Sequence, residues 1–369
     1  MVSVNLTDRC NQQCIYCEIG AGIPSAGQDL LNIDDMKWII GEMAKARISK
    51  LSLCGGEPFL FDDLMATVRY AGERRIRCSI TTNGMTAFHL SDSELEILKR
   101  HKAEINISLD SFDEEILHTT RGDRAALRNA LRSIHRLQDF GIPLTILTVI
   151  TRYNYTNLLS TVKTACDNGI SQVLFQPVIF FSNYPDRVGL EKKRQFNVPK
   201  ERTKALIEQL EEILAFEKRN NIKTNVYRIY PWIGHYLRQA GKRDDNRFFE
   251  SVLRKFHCRE IYAIIEISYT GGIQPCGLRP ATISIQDHRT GSLTELWEKA
   301  TRKIRKDMEN GNYYPECNGC CHHFSRNMLA SMMKHPFENR DACMKMAPLI
   351  LSRIRQVIWK RTLFGRSLN

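Results

Sequence analysis

The chain has 369 residues, 43% hydrophobic and 25% charged, the profile of a globular protein of one large or two medium domains. Its net charge of +12 suits anionic partners or substrates, but no RNP-like aromatic motif or zinc-finger spacing accompanies it, which argues against nucleic acid. No run approaches the ~18 apolar residues of a membrane span. Asp8 and Arg9 break any export signal, so twelve clustered cysteines imply metal binding in a reducing, cytoplasmic setting rather than disulfides.

The first element is a short strand, Val2–Leu6, and three cysteines follow it: Cys10, Cys14 and Cys17, spaced C-x3-C-x2-C. A cubane iron–sulfur cluster has four irons and normally takes four thiolates. Three closely spaced thiolates leave one iron open to a small chelating ligand, much as a catalytic zinc keeps a free position. A zinc knuckle or three buried thiols are the plainer alternatives. Asn32 can cap a helix through Ala46, and a second strand, Leu51–Cys54, ends in Gly55-Gly56-Glu57-Pro58. Glycines there let backbone approach a ligand, and the carboxylate can accept hydrogen bonds from an ammonium group; an ordinary turn is the alternative.

The alternation continues. Strand Ile76–Thr81 ends in Thr81-Thr82-Asn83-Gly84, whose short polar side chains can reach ribose hydroxyls. Ser91 and Glu94 form a capping box for the next helix. Strand Ile105–Leu109 ends in Ser108-Leu109-Asp110-Ser111, with Arg121-Gly122 beyond; Asp110 as the cap of a helix over Phe112–His118 is the plainer reading. A helix follows Asp123 to about Phe140, then strand Leu144–Ile150, a helix started by Asn154, and strand Gln172–Phe175 with Gln176-Pro177 after it. Six strand–helix units imply a parallel sheet with right-handed crossovers, short of the eight that close a full barrel. The polar motifs all sit at carboxyl ends of strands, where such sheets build their sites.

The CNQQCIYC run, with Tyr16 before the third cysteine, together with GGEP and the SLD…RG pattern, resembles the radical S-adenosylmethionine (SAM) superfamily. The resemblance implies an α/β fold, a partial (β/α)6 TIM-like barrel, with a 4Fe–4S cluster on Cys10, Cys14 and Cys17. It implies SAM held by Gly55, Gly56, Glu57 and Pro58 at its amino group, with Thr82, Asn83, Ser108 and Arg121 at ribose and carboxylate, and Gln176 near the adenine. It further implies reductive cleavage of SAM to a 5′-deoxyadenosyl radical that abstracts a hydrogen atom.

Asn183–Lys200 reads as a loop, Pro199 opens a charged helix to about Asn220, and Ile222–Tyr227 leads to a helix opened by Pro231. A strand over Ile261–Ser268 turns at Gly271-Gly272 into Ile273–Cys276, and a helix spans Leu293–Lys306. Cys258, Cys276, Cys317 and Cys320 surround these elements and resemble the twitch domain, the shorter relative of the SPASM extension. That implies a small C-terminal α+β cysteine-rich domain, residues 229–369 against a barrel of residues 1–228, with one auxiliary 4Fe–4S cluster. Cys321 and Cys343 are unassigned; a zinc site using His322 or His323 is the alternative. Cys54, Cys78 and Cys166 read as buried small hydrophobes.

Two departures narrow the function. Sulfatase-maturing relatives carry an aspartate base after the cysteine matching Cys276, and here Gly277 stands there. Molybdenum-cofactor cyclisation enzymes end in Gly-Gly, whereas this chain ends Arg366-Ser-Leu-Asn369. With no room before Cys10, a peptide-recognition domain is not expected ahead of the barrel, though such a domain can be a separate chain. The expectation is an oxidoreductase acting on a small polyol, sugar or cyclitol, with the auxiliary cluster taking the second electron. Peptide maturation or cross-linking is the alternative, and a non-enzymatic electron carrier is the alternative of another class. An acidic flavodoxin or ferredoxin is the expected reductant, and the basic segment Pro348–Asn369 packs on its own domain in preference to a membrane surface.

Overall fold

The computed structural model describes residues 1–17, 30–178, 194–239, 248–320 and 327–351. Six strands, β1 (Val2–Asn5), β2 (Lys50–Cys54), β3 (Arg77–Thr82), β4 (Glu104–Ser108), β5 (Leu144–Ile150) and β6 (Gln172–Pro177), pair in parallel in chain order. Between them run α1 (Ile33–Lys45), α2 (Leu64–Glu73), α3 (Asp92–Arg100), α4 (Glu114–Arg121), α5 (Ala126–Asp139) and α6 (Leu158–Asp167). The expected six-unit parallel sheet is present, and β7 (Lys223–Thr224) adds a seventh parallel strand beyond β6.

Local chemistry sets the helix starts. Asn32 and Asp35 make a reciprocal capping box on α1, as Ser91 and Glu94 do on α3. The start of α6 differs from expectation. Asn154 does not cap it; its Oδ1 accepts from the Thr151 N–H and its Nδ2 donates to the Asp110 and Val149 carbonyls, so it ties a turn and Asn157 becomes the cap position. Asp110 is not a cap either: Asp113 caps α4, accepting from the Glu115 and Ile116 N–H groups.

Strand alternation divides the sheet into two faces. Val2, Val4, Leu51, Leu53, Ile80, Ile105, Ile107 and Ile146 are buried under the helices in one core. The opposite face is half-buried and carries a polar row, Ser3, Ser52, Ser79, Thr81, Asn106, Thr145 and Gln172, with Leu147, Val149 and Leu174 apolar further along β5 and β6. Register lines these up across the strands, Ser3 beside Ser52, Ser52 beside Ser79, Thr81 beside Asn106 and Asn106 beside Thr145. Hydrogen bonds join the row, from Asn106 Nδ2 to Ser79 at 2.9 Å and from Thr145 Oγ1 to Gln172 at 3.1 Å.

The C-terminal part joins the same sheet. Strand β8 (Ile265–Ile267) pairs in parallel with β1, and β9 (Gly272–Gln274) and β10 (Ile283–Ser284) follow antiparallel. The expected strand from Ile261 is shorter, because Glu260–Ala263 winds into one helical turn first. Gly271 makes the β8–β9 turn at φ +75°, a conformation glycine adopts freely. A 17-residue helix, Leu293–Glu309, packs on β9 and on α1, with Ser292 and Glu295 as its capping box. The segments 179–193 and 352–369 lie outside the described residues, and with them most of the expected Asn183–Lys200 loop and of the basic C-terminal segment. Among the described residues no helix is long and apolar enough to cross a membrane.

Cys78 sits in the core at 2% exposure, and burial alone pushes its thiol from 9.0 up to about 12. Because the folded value is raised, the contribution is whole below pH 9 and is lost as pH climbs from 9 towards 12. Each pH unit in that window costs about 1.4 kcal/mol. Cys78→Val removes this group, so its melting temperature should fall less between pH 8.5 and 10.5 than that of the wild type, by roughly the amount that linkage predicts.

Candidate active site

The loop carrying the three cysteines is laid down by backbone hydrogen bonds on both sides. On one side the Leu6 N–H donates to the Cys54 carbonyl, Gly56 N–H to Thr7 and Glu57 N–H to Arg9, at 2.7 to 2.8 Å. On the other, Gln13 N–H donates to Arg121 and Ile15 N–H to Thr120. Glycine is required at both flanks. A Cβ at Gly55 would lie 2.6 Å from the Thr7 carbonyl oxygen, and one at Gly56 2.0 Å from that of Arg9. Gly122, at φ +76°, brings α4 to its end with the Gln13 carbonyl 3.1 Å from where a Cβ would be. The GGEP and RG motifs therefore seat the cysteine loop.

Glu57 has a different post from the expected amine contact. It is fully buried, and its carboxylate accepts from Thr82 Oγ1 and the Asn83 N–H at 2.7 Å and from the Phe59 N–H at 3.1 Å. Burial raises its pKa, and those donors pull it back. It staples the end of β2 to the end of β3 rather than facing a ligand, and Pro58 is buried beside it.

A cavity of about 460 Å³ opens over the carboxyl ends of the strands, within the size range of small-molecule sites. Cys10, Cys14 and Cys17 line it, as do Gly55, Gly56, Thr82, Asn83, Ser108, Arg121 and Gln176. Thus the structure brings together every barrel residue singled out from sequence except Glu57 and Pro58. Asn83 turns its Nδ2 to Asn11 at 2.7 Å and towards Cys10 Sγ at 3.8 Å. Cys54 also lines the cavity, with its sulfur 3.4 Å from Ser52 Oγ, so it is a wall residue rather than a core hydrophobe.

Arg121 is 5% exposed and committed to protein partners. Its Nε and Nη2 donate to the two Asp110 oxygens at 2.8 and 2.9 Å, and its Nη1 to Cys14 Sγ at 3.6 Å. Asp110 also accepts from Tyr16 Oη at 2.5 Å and the Val149 N–H at 3.1 Å. Asp110 went unrecognised in the sequence because an acidic residue after a strand looks like a helix cap. Burial pushes the Cys14 thiol from 9.0 up to about 12, and the Arg121 charge works against that rise. A thiolate is the metal-binding form, so Arg121 favours the state in which Cys14 can ligate.

The second cysteine set also converges. Cys258, Cys276, Cys317 and Cys320 line one pocket with Leu278 and Tyr314. Burial raises Cys258 to about 11 and Cys276 further, and the charges of neighbouring cysteines add to the rise in Cys276. Cys343 points elsewhere, towards the Met332 and Pro336 carbonyls at 3.9 Å. Cys321, His322 and His323 lie outside the described residues. Among the described residues no group of three Cys, His, Asp or Glu closes tightly enough around a single metal ion. A cubane asks for something else, thiolates set apart on separate irons, and both sets are half-buried sulfur-rich clusters suited to it.

Residues 4–165 match the model of the Radical SAM superfamily. That stretch of the chain carries a radical SAM domain. Radical SAM enzymes use a 4Fe–4S cluster and SAM, and the open cavity beside three thiolates fits both. Its relatives include an AdoMet-dependent heme synthase of Methanosarcina barkeri, 24% identical over 87% of this chain and 90% of that one. A GTP 3′,8-cyclase of Peptoclostridium acidaminophilum is 29% identical, over 50% of this chain and only 56% of its own length. Among solved structures, anSMEcpe with bound AdoMet shares the fold at TM-score 0.61 and 15% identity, over 96% of this chain and 98% of that one. SuiB of Streptococcus suis, bound to S-adenosylmethionine, follows at TM-score 0.58 and 18% identity, over 87% of this chain and 69% of its own.

Asp110→Ala leaves the buried Arg121 charge without its bidentate partner. It should cost about 3–5 kcal/mol of stability in a denaturant titration. Arg121→Gln, which keeps the shape but not the charge, should lower the pH-7 occupancy of the first cluster, read as iron per chain after anaerobic reconstitution.

Proposed function

We propose that this radical SAM enzyme oxidises a small, polar, hydroxyl-rich substrate, with two clusters on opposite sides of it. The observation that carries the reading is the polar row on the open face of the sheet. Ser3, Ser52, Ser79, Thr81, Asn106, Thr145 and Gln172 are neutral donors and acceptors, suited to a polyol, sugar or cyclitol. Thr81 of this row lines the cavity of about 460 Å³, whose size favours a small molecule or one projecting group beside SAM.

Cys10, Cys14 and Cys17 would hold the first cluster, and the backbone of Gly55 and Gly56 with Asn83 and Ser108 would hold SAM. Bound there, these groups would supply radical abstraction of a hydrogen atom from a carbon–hydrogen bond of the substrate. Cys258, Cys276, Cys317 and Cys320 would hold an auxiliary 4Fe–4S cluster, which would supply an acceptor for the second electron of a two-electron oxidation. The protein's own work is to orient the reacting carbon and to keep water and oxygen away. The net charge of +12 suits an acidic flavodoxin or ferredoxin as electron donor.

Cys14→Ala should abolish 5′-deoxyadenosine release; undiminished release would sink the reading. Cys276→Ala should still cleave SAM but lose the oxidised product. Host extract split by size tests the substrate. Stimulated release by the small-molecule fraction supports a polyol-like metabolite, and stimulation by the macromolecular fraction alone replaces it with a peptide or protein.

A further inference from the structure

The polar row does not end at β1. Ser3 pairs in register with Glu266 on β8, so the row of neutral side chains finishes in a carboxylate. Glu266 is half-buried on the same face of the sheet as Ser3 and Ser52. Its charge reaches Cys54, a wall residue of the SAM cavity, and raises that thiol's pKa. The same charge reaches Cys276, one of the four C-terminal thiols. Glu266 thus stands between Cys54, on the wall of the first cavity, and Cys276 of the second set.

Gly277 explains how the carboxylate fits there. A Cβ at this position would lie 2.4 Å from Glu266 Oε2 and 3.0 Å from Oε1. The space that a side chain at 277 would enter is the space the Glu266 carboxylate fills. Gly277 in turn lines the pocket of the auxiliary thiols. A carboxylate from β8, across the turn, thus sits against the residue that follows Cys276 and lines that pocket.

We propose that Glu266 anchors the substrate, its carboxylate accepting a hydrogen bond from a hydroxyl or ammonium group beside the reacting carbon. Neutral hydroxyls and amides along the row would meet the other polar groups, and Glu266 would fix which end lies towards the auxiliary thiols. A carboxylate here favours neutral polyols and amino-bearing rings, and disfavours a substrate with phosphate or carboxylate at that end. This inference rests on the small polar substrate proposed above.

The test uses the anaerobically reconstituted full chain with SAM, a reductant and the small-molecule fraction of host extract as probe. Glu266→Gln should keep the wild-type iron content and SAM affinity. Its extract-stimulated 5′-deoxyadenosine release should fall roughly tenfold at limiting extract, as for one lost hydrogen bond to a charged acceptor, and recover as extract is raised. The geometry also supplies a rescue. In the double variant Glu266→Ala with Gly277→Asp the carboxylate returns from the other side of the same space, and stimulated release should rise well above that of Glu266→Ala alone. Stimulation of Glu266→Gln equal to wild type, or a double variant no better than the single one, overturns the proposal. A wild type that answers only the macromolecular fraction overturns the substrate class instead, and Glu266 is then judged by the same ratios on that fraction.

Discussion

The site depends on how the cysteine loop is held before any iron arrives. A loop that must present three thiolates to one cluster cannot be left to side-chain packing, because a shift of about 1 Å is enough to spoil such a constellation. Here main-chain hydrogen bonds fasten it at both ends, to the turn after β2 and to the last turn of α4. Gly55, Gly56 and Gly122 are what allow the chains to come that close. The buried Glu57 carboxylate then locks β2 to β3, and the Asp110–Arg121 pair locks α4 beneath Cys14. Motifs that read as ligand contacts are in good part the frame that aims the ligands.

Burial gives the thiols a second constraint. Cys14, Cys258 and Cys276 are all pushed above the ordinary thiol range by desolvation. Without metal they are neutral and compatible with a low-dielectric interior. Cluster binding must expel their protons, which couples assembly to pH and to nearby positive charge. Arg121 supplies that charge at the first set, whereas at Cys276 the Glu266 carboxylate opposes ionisation.

Much of this was legible in the sequence. Strand alternation located all six barrel strands to within two residues, because buried apolar residues recur with period two along each. The Asn32 and Ser91 capping boxes were visible for the same reason, being local patterns. What was not legible was set by distance in the chain. Glu57 looks like a ligand contact until the Asn83 N–H arrives to saturate it, and Asp110 looks like a cap until Arg121 turns back on it. Glu266 gives no local signal at all; its place follows from β8 pairing with β1, more than 260 residues away in the chain. Cys54 read as core because it ends an apolar strand, yet it falls on the face that the cavity exposes.

The claim on which the account turns is that one sheet carries two separate cluster sites, only the first of which meets SAM. Electron paramagnetic resonance of the reduced, reconstituted protein tests it, with SAM added or withheld, in the wild type and in the double variant Cys258→Ala with Cys276→Ala. The account predicts two overlapping cluster signals in the wild type, one of which changes on adding SAM. In the variant only the SAM-responsive signal should survive, with iron per chain roughly halved, as loss of one of two equal clusters requires. A variant that keeps both signals, or loses the SAM-responsive one, would contradict it.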